Sequence, residues 1–212
     1  MGEIYPTLGE REFFLEGVEH VRNCDPALRQ IVDSQEVFAF KPQGRVFQSL
    51  VESIISQQLN GKVADLIISR VNSLFRSGRP SAERLYRMSP AKLRSSGLSP
   101  QKLSYLKDLS ARIVHGQLDL SHLAEKSDEV IMRELDEVRG VGPWTAHMVL
   151  MFSLGRPDVL PVDDYGIRKA VRDVYRLPEL PGKRTIESIA RPWHPFSTVA
   201  CLYLWRHKDQ AP

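Results

Sequence analysis

The sequence predicts an all-α fold, and three observations predict it. Apolar residues recur at i, i+3, i+4 and i+7 in almost every segment, no segment alternates like a half-buried strand, and Ser-Pro and Gly signals mark helix starts and stops. Val46, Leu50, Ile54 and Ile55 line one helix, and Val63, Leu66, Ile67, Val71 and Leu74 line the next. Ser89-Pro90 and Ser99-Pro100 each supply an N-cap followed by proline at the first helical position. Gly116 suits a helix C-terminus, and Ser127-Asp128-Glu129 opens a further helix. A helix carrying Ile131, Leu135 and Val138 on one face then ends at Gly140, and another starts at Pro143 and runs to Leu154 before Gly155. The proline-rich stretches 156–161 and 177–182 read as rigid connectors between packed helices. About ten short helices result.

The bulk properties narrow the class. At 212 residues the chain buries a real core, as one domain or two small lobes, and 42% hydrophobic with 26% charged residues excludes a disordered or fibrous chain. A net charge of +3 suits a polyanionic partner without demanding one. Cys24 and Cys201 stand alone, outside any ligand spacing, so neither a disulfide framework, a zinc site nor a four-cysteine cluster is expected, and no metal is assigned. The N-terminus lacks a basic segment followed by an apolar run, and no stretch is long and apolar enough for a membrane span. A cytoplasmic protein is expected, nucleoid-associated if bacterial, with no membrane partner.

The most informative segment is Leu135-Asp136-Glu137-Val138-Arg139-Gly140-Val141-Gly142-Pro143-Trp144-Thr145-Ala146. Glycines at 140 and 142 let the backbone turn sharply and approach a ligand closely, while Val141 pins the turn into the core. The N–H groups opening the second helix, with the positive end of its dipole, suit a phosphate oxygen. A bare Gly-x-Gly is more often only a tight helix–helix turn. Downstream, Val162-Asp163-Asp164-Tyr165 places an acidic pair at the entrance to a helix, where Asp163 is well placed as the cap.

The full string resembles the hairpin of the helix-hairpin-helix DNA glycosylase superfamily, followed at the family's spacing by an aspartate. The resemblance implies an all-α fold of two helical lobes flanking a DNA-binding cleft. Over residues 1–212, lobe one would take roughly 1–40 plus 156–212, and lobe two roughly 41–155, with the hairpin at 135–154. It implies that Arg139, Gly140, Val141, Gly142 and Thr145 hold a phosphate, and that Asp164 is the catalytic carboxylate. An anion beside C1′ stabilises the oxocarbenium character that develops as the glycosidic bond breaks, and it can orient the attacking water. Bifunctional relatives carry a lysine on the second hairpin helix that forms a Schiff base with the sugar; Trp144 stands in that place here and cannot, so a monofunctional enzyme is implied.

Trp144, with His194-Pro195-Phe196-Ser197-Thr198-Val199-Ala200-Cys201-Leu202-Tyr203-Leu204-Trp205-Arg206, is similar to the bacterial 3-methyladenine DNA glycosylase II group, in a compact form without its N-terminal β domain. His194 and Ser197 replace two arginines of that pattern, and Met148 replaces a pocket tyrosine. By carry-over Trp144, Met148, Tyr165 and Trp205 line the base pocket, where aromatic faces attract alkylated, cationic purines such as 3-methyladenine and 7-methylguanine by roughly 0.5–2 kcal/mol. Trp205 reads equally as a core residue of an apolar helix. Ser53-Ile54-Ile55-Ser56-Gln57-Gln58-Leu59-Asn60 resembles the family's wedge segment, so Gln58, Leu59 or Asn60 fills the gap left by a flipped base. Asn60 also reads as an N-cap. Lys102, Lys107 and Arg112 are candidate phosphate contacts or a solvated basic face. The implied partner is duplex DNA with damaged bases, bound by a monomer. No cofactor is implied beyond a monovalent cation on the hairpin carbonyls. The alternatives are a glycosylase for oxidised or mismatched bases and a non-catalytic hairpin module, the latter opposed by Asp164.

Overall fold

The computed structural model describes residues 7–210, and every regular element among them is helical. Twelve α-helices appear among them rather than about ten, three of them pieces of only five or six residues. They are α1 (Arg11–Cys24), α2 (Pro26–Asp33), α3 (Val46–Ser56), α4 (Gly61–Ser73), α5 (Ala82–Arg87), α6 (Pro90–Arg94), α7 (Pro100–Val114), α8 (Asp128–Asp136), α9 (Pro143–Met148), α10 (Tyr165–Val174), α11 (Lys183–Ala190) and α12 (Ser197–Gln210). None of the described helices is long and apolar enough to cross a membrane. The chain divides into two compact units, Gly44–Val149 and the segments up to Gln43 and from Leu150 onward.

In the Gly44–Val149 unit the serine signals act as caps. Ser81, Ser89, Ser99 and Ser127 hydroxyls accept from the N–H groups of Arg84, Lys92, Lys102 and Val130, at 3.3, 3.3, 3.2 and 3.4 Å. Such caps are typically worth about 1 kcal/mol each. Gly116 takes the left-handed φ of +70° that ends α7. The core is built from Leu50, Ile54 and Ile55 of α3, Leu85 of α5 and Leu106 and Leu109 of α7, all fully buried. On α4 the expected stripe is rotated: Ala64, Ile67 and Val71 are buried, whereas Val63 and Leu66 are 40% and 50% exposed. Residue 64 supplies the inward position that the larger side chains on either side of it were expected to fill.

The three cations nominated for phosphate are used inside the unit. The Lys102 ammonium donates to the Ile55 carbonyl at the end of α3 (2.7 Å). That of Lys107 donates to the carbonyls of Leu85, Tyr86 and Met88 at the end of α5 (3.0, 2.6 and 2.5 Å). Burial holds both below the usual lysine range. Arg112 pairs with Asp108 (3.1 Å) and Glu137 (3.5 Å). Each satisfies groups that helix ends or neighbouring carboxylates leave open, which is why they do not form a free basic face.

In the other unit, Phe14, Val18 and Val21 of α1 and Val199, Cys201 and Tyr203 of α12 are buried. Asp25 N-caps α2, accepting from Ala27 and Leu28 N–H at 2.9 and 3.2 Å. Its second oxygen accepts from the Tyr175 hydroxyl (2.5 Å) and the Trp193 indole N–H (3.2 Å). The carboxylate is only 6% exposed, and burial, with Asp25 next, pushes the Tyr175 hydroxyl well above the usual tyrosine range.

Candidate active site and nucleic-acid interface

The hairpin lies between α8 and α9. Gly140 has φ +83°, and a Cβ there would lie 2.1 Å from the Tyr105 ring, so turn and packing both demand glycine. Gly142 is different: its backbone is extended and nothing lies within 4 Å of where its Cβ would stand. Neither the Gly140 nor the Gly142 N–H has a hydrogen-bond partner among the described residues. These are the hairpin donors left for a ligand.

Other members of the predicted phosphate set are committed elsewhere. The Val141 N–H bonds to Val138 O (3.0 Å) and its side chain is buried, as expected of the residue that pins the turn. The Arg139 N–H goes to Asp108 (3.0 Å), and its guanidinium is exposed. The Thr145 hydroxyl turns inward, 3% exposed and 3.1 Å from Ser53 Oγ. Sequence reasoning also missed Gln57, whose side-chain N–H donates to Gly140 O at 2.6 Å. That bond and the Ser53–Thr145 bond tie the hairpin to the turn between α3 and α4. At this turn Gln58 is exposed in the left-handed region, with φ +56°. Leu59 is half-buried, and Asn60 caps α4 through Val63 N–H (3.0 Å). The second hairpin helix does not run to Leu154 in α geometry. It changes after Met148 into a five-residue π-helical turn, Val149–Ser153. Trp144 is 43% exposed and Met148 half-buried.

The acidic pair sits at the start of α10, in the other unit. The cap is Asp164, not Asp163: Asp164 Oδ1 accepts from Ile167 N–H at 2.8 Å, while Asp163 is exposed in the preceding turn. The helix begins one residue later than the pair suggested, because the Asp164 N–H closes a turn onto Pro161 O (2.9 Å). The same Oδ1 accepts from the Trp205 indole N–H of α12 at 3.0 Å. Trp205 is therefore more than an apolar wall; one edge orients a carboxylate while its ring lies 5.7 Å from Phe152. Gly166, which no motif reading flagged, makes this arrangement fit. A Cβ there would lie 3.0 Å from Asp164 Oδ1 and 3.1 Å from the indole. Tyr165 projects beside them, 66% exposed. Behind the site the Cys201 thiol is fully buried, and burial first, then the negative charges of Asp164 and Asp158, push it far above the usual cysteine range. Where the compared pattern has two arginines, His194 and Ser197 both bond to Asp158, Ser197 Oγ at 2.6 Å.

No cluster of three His, Cys, Asp or Glu side chains able to hold a metal occurs among the described residues. At the hairpin, Val138 O and Gly140 O already accept hydrogen bonds from Val141 N–H and Gln57, so a cation there would have to share those oxygens.

Comparison with known proteins agrees with this geometry. Residues 51–195 match the model of the HhH-GPD superfamily base excision DNA repair proteins. YfjP of Bacillus subtilis (strain 168), named provisionally as a DNA-3-methyladenine glycosylase, is 35% identical over 167 residues, covering 76% of this chain. The chain spans 58% of the length of YfjP. DNA-3-methyladenine glycosylase 1 of Schizosaccharomyces pombe is 35% identical over 162 residues, covering 76% of this chain and 71% of that protein. Among solved structures, the S. pombe 3-methyladenine DNA glycosylase in complex with abasic DNA superposes with a TM-score of 0.82 at 30% identity, covering 92% of this chain and 98% of that one.

Proposed function

The chain belongs to the HhH-GPD superfamily of base excision DNA repair proteins, and from that membership we propose that it is a monofunctional DNA glycosylase that releases alkylated purines, such as 3-methyladenine and 7-methylguanine, from duplex DNA and leaves an abasic site. One observation carries the reading: Asp164 is half-exposed at a helix N-terminus with one oxygen held by two donors, Ile167 N–H and the Trp205 indole. A carboxylate held in this way loses little freedom on meeting substrate. Its charge is already in position when positive character develops on the sugar, so little reorganisation is needed. Water is the nucleophile, because Trp144 occupies the place of the Schiff-base lysine.

The remaining residues take stated roles. Gly140 and Gly142 N–H groups and the Arg139 guanidinium hold phosphate, which positions DNA without reading its sequence. Gln58 is the wedge: it is exposed at the tip of its turn, whereas Asn60 is spent on capping α4 and Leu59 is half-buried. Tyr165, exposed next to Asp164, receives the flipped base, with a cation–π contribution that favours positively charged lesions. The chemistry assigned to Asp164 calls for no metal or organic cofactor, and a monovalent cation on the hairpin would strengthen the grip on DNA. The protein acts as a monomer where its substrate is, in the cytoplasm or on the nucleoid.

The test is incubation with methylated duplex DNA followed by chromatography of released bases. Free 3-methyladenine or 7-methylguanine is expected, and their absence would overturn the reading. Borohydride should trap no covalent complex; a trapped one would move the enzyme to the lyase class.

A further inference from the structure

The positive charge of this chain is not spread evenly. Residues 70–94 hold seven of its lysines and arginines (Arg70, Arg76, Arg79, Arg84, Arg87, Lys92 and Arg94) and one carboxylate, Glu83. That stretch carries +6, so the rest of the chain is net −3. All seven are exposed, and none has an ion-pair or side-chain hydrogen-bond partner among the described residues. Glu83 does not neutralise them. Its carboxylate is held below the usual range chiefly by the backbone of its own first turn and by Ser81, with Arg87 contributing least. The fold then concentrates the charge further. Arg76 after α4, Arg84 and Arg87 of α5 and Lys92 of α6 line one open groove of about 420 Å³. Four unpaired cations around one groove repel each other, and no carboxylate lines it, whereas Lys102, Lys107 and Arg112 all have partners.

We propose that this groove is a second DNA-binding surface, which takes the phosphate backbone of duplex flanking the damaged site; the proposal rests on the glycosylase reading for its partner. Its position fits a shared duplex. The end of α5 is held by Lys107, and the hairpin packs on Tyr105 and Asp108 of the same helix, α7. Groove and hairpin are thus anchored on one helix of the same unit, so a duplex longer than one helical turn is the partner able to engage both. The groove supplies mainly positive charge, so it should add affinity and salt dependence with little lesion preference.

The experiment compares the whole protein with the variant Arg76→Gln, Arg84→Gln, Arg87→Gln, Lys92→Gln. Binding to undamaged duplexes of one and of more than two helical turns is measured as a function of KCl. For the wild type, the slope of log affinity against log salt should be steeper on the long duplex. The variant should lose about 2–4 units of that slope on the long duplex, at about 0.9 per phosphate contact, and little on the short one. Single-turnover base release at saturating enzyme should be unchanged. Equal slopes for both proteins on the long duplex overturn the proposal, as does a variant that loses only heparin retention, which would assign the groove to another polyanion. Should the fourfold variant fail to fold, Arg84→Gln with Arg87→Gln reads the same effect at about half the slope change. Because undamaged DNA is used, the slopes are read without any chemistry. A wild type that binds with the predicted slopes but releases no base would sink the glycosylase reading and leave the groove standing.

Discussion

Asp25 and Asp164 occupy nearly the same local setting. Each N-caps a helix of the same unit through backbone N–H groups, and each accepts an indole N–H from a distant tryptophan, Trp193 or Trp205. Around Asp25 the setting is closed: it is 6% exposed, and the Tyr175 hydroxyl adds a further donor on the oxygen that Trp193 reaches. Around Asp164 it is less closed: the residue is half-exposed, Oδ1 accepts from Ile167 N–H and the Trp205 indole, and the exposed Tyr165 lies next to it. The same cap therefore serves two ends. Where burial is complete, the carboxylate knits three segments into a core. Where it is partial, the same two-donor hold fixes the direction of a charge that is still half-exposed, as the proposed role requires.

The comparison breaks first on the two aspartates. Asp164→Asn keeps a good cap and should leave the melting temperature nearly unchanged. It should slow single-turnover base release by about 10²–10⁴-fold. A variant that retains full activity would remove the role assigned to Asp164. Asp25→Asn should do the reverse, costing about 1.5–3 kcal/mol in denaturant titration and leaving the rate per folded molecule intact. Next come the tryptophans. Trp205→Phe keeps an aromatic ring and deletes the N–H, so base release should fall about tenfold with DNA affinity unchanged. Trp193→Phe should cost about 1 kcal/mol of stability and nothing in rate. The smallest effect is expected for Gly166→Ala. The added methyl must displace Asp164 Oδ1 or the Trp205 ring by a few tenths of an ångström, so a few-fold loss of rate is expected, while helix propensity offsets the strain in the melting temperature. A rate equal to wild type would mean that the orientation of Asp164 is less critical than the closed-and-open contrast requires.

What the sequence makes legible follows from how local each signal is. Serine caps, the positive-φ glycine at 140 and the aspartate beyond the hairpin are written within a few residues, and the helices they mark are found. The capping role went to the wrong member of the acidic pair, because a one-residue shift in a helix start leaves no trace in composition. Contacts across the chain are not legible at all. The Asp25 network joins residues 150 and 168 positions apart, and the Asp164–Trp205 bond spans 41. Lys102 and Lys107 look like surface charges until the carbonyls they satisfy are known. Gly166 has an ordinary φ, and its value lies only in what stands opposite it.

The sealed thiol behind Asp164 has a consequence for the proposed activity, which would set the protein to work amid alkylating agents. Thiolates are among the groups most readily attacked by such electrophiles, and a modified cysteine beside Asp164 would disable the proposed catalyst by the kind of damage it is proposed to remove. Cys201 is kept protonated by burial and by the anion it adjoins, so the charge that performs the proposed chemistry also keeps its neighbour inert. The proposed glycosylase would in this way be shielded against the cause of its own substrate.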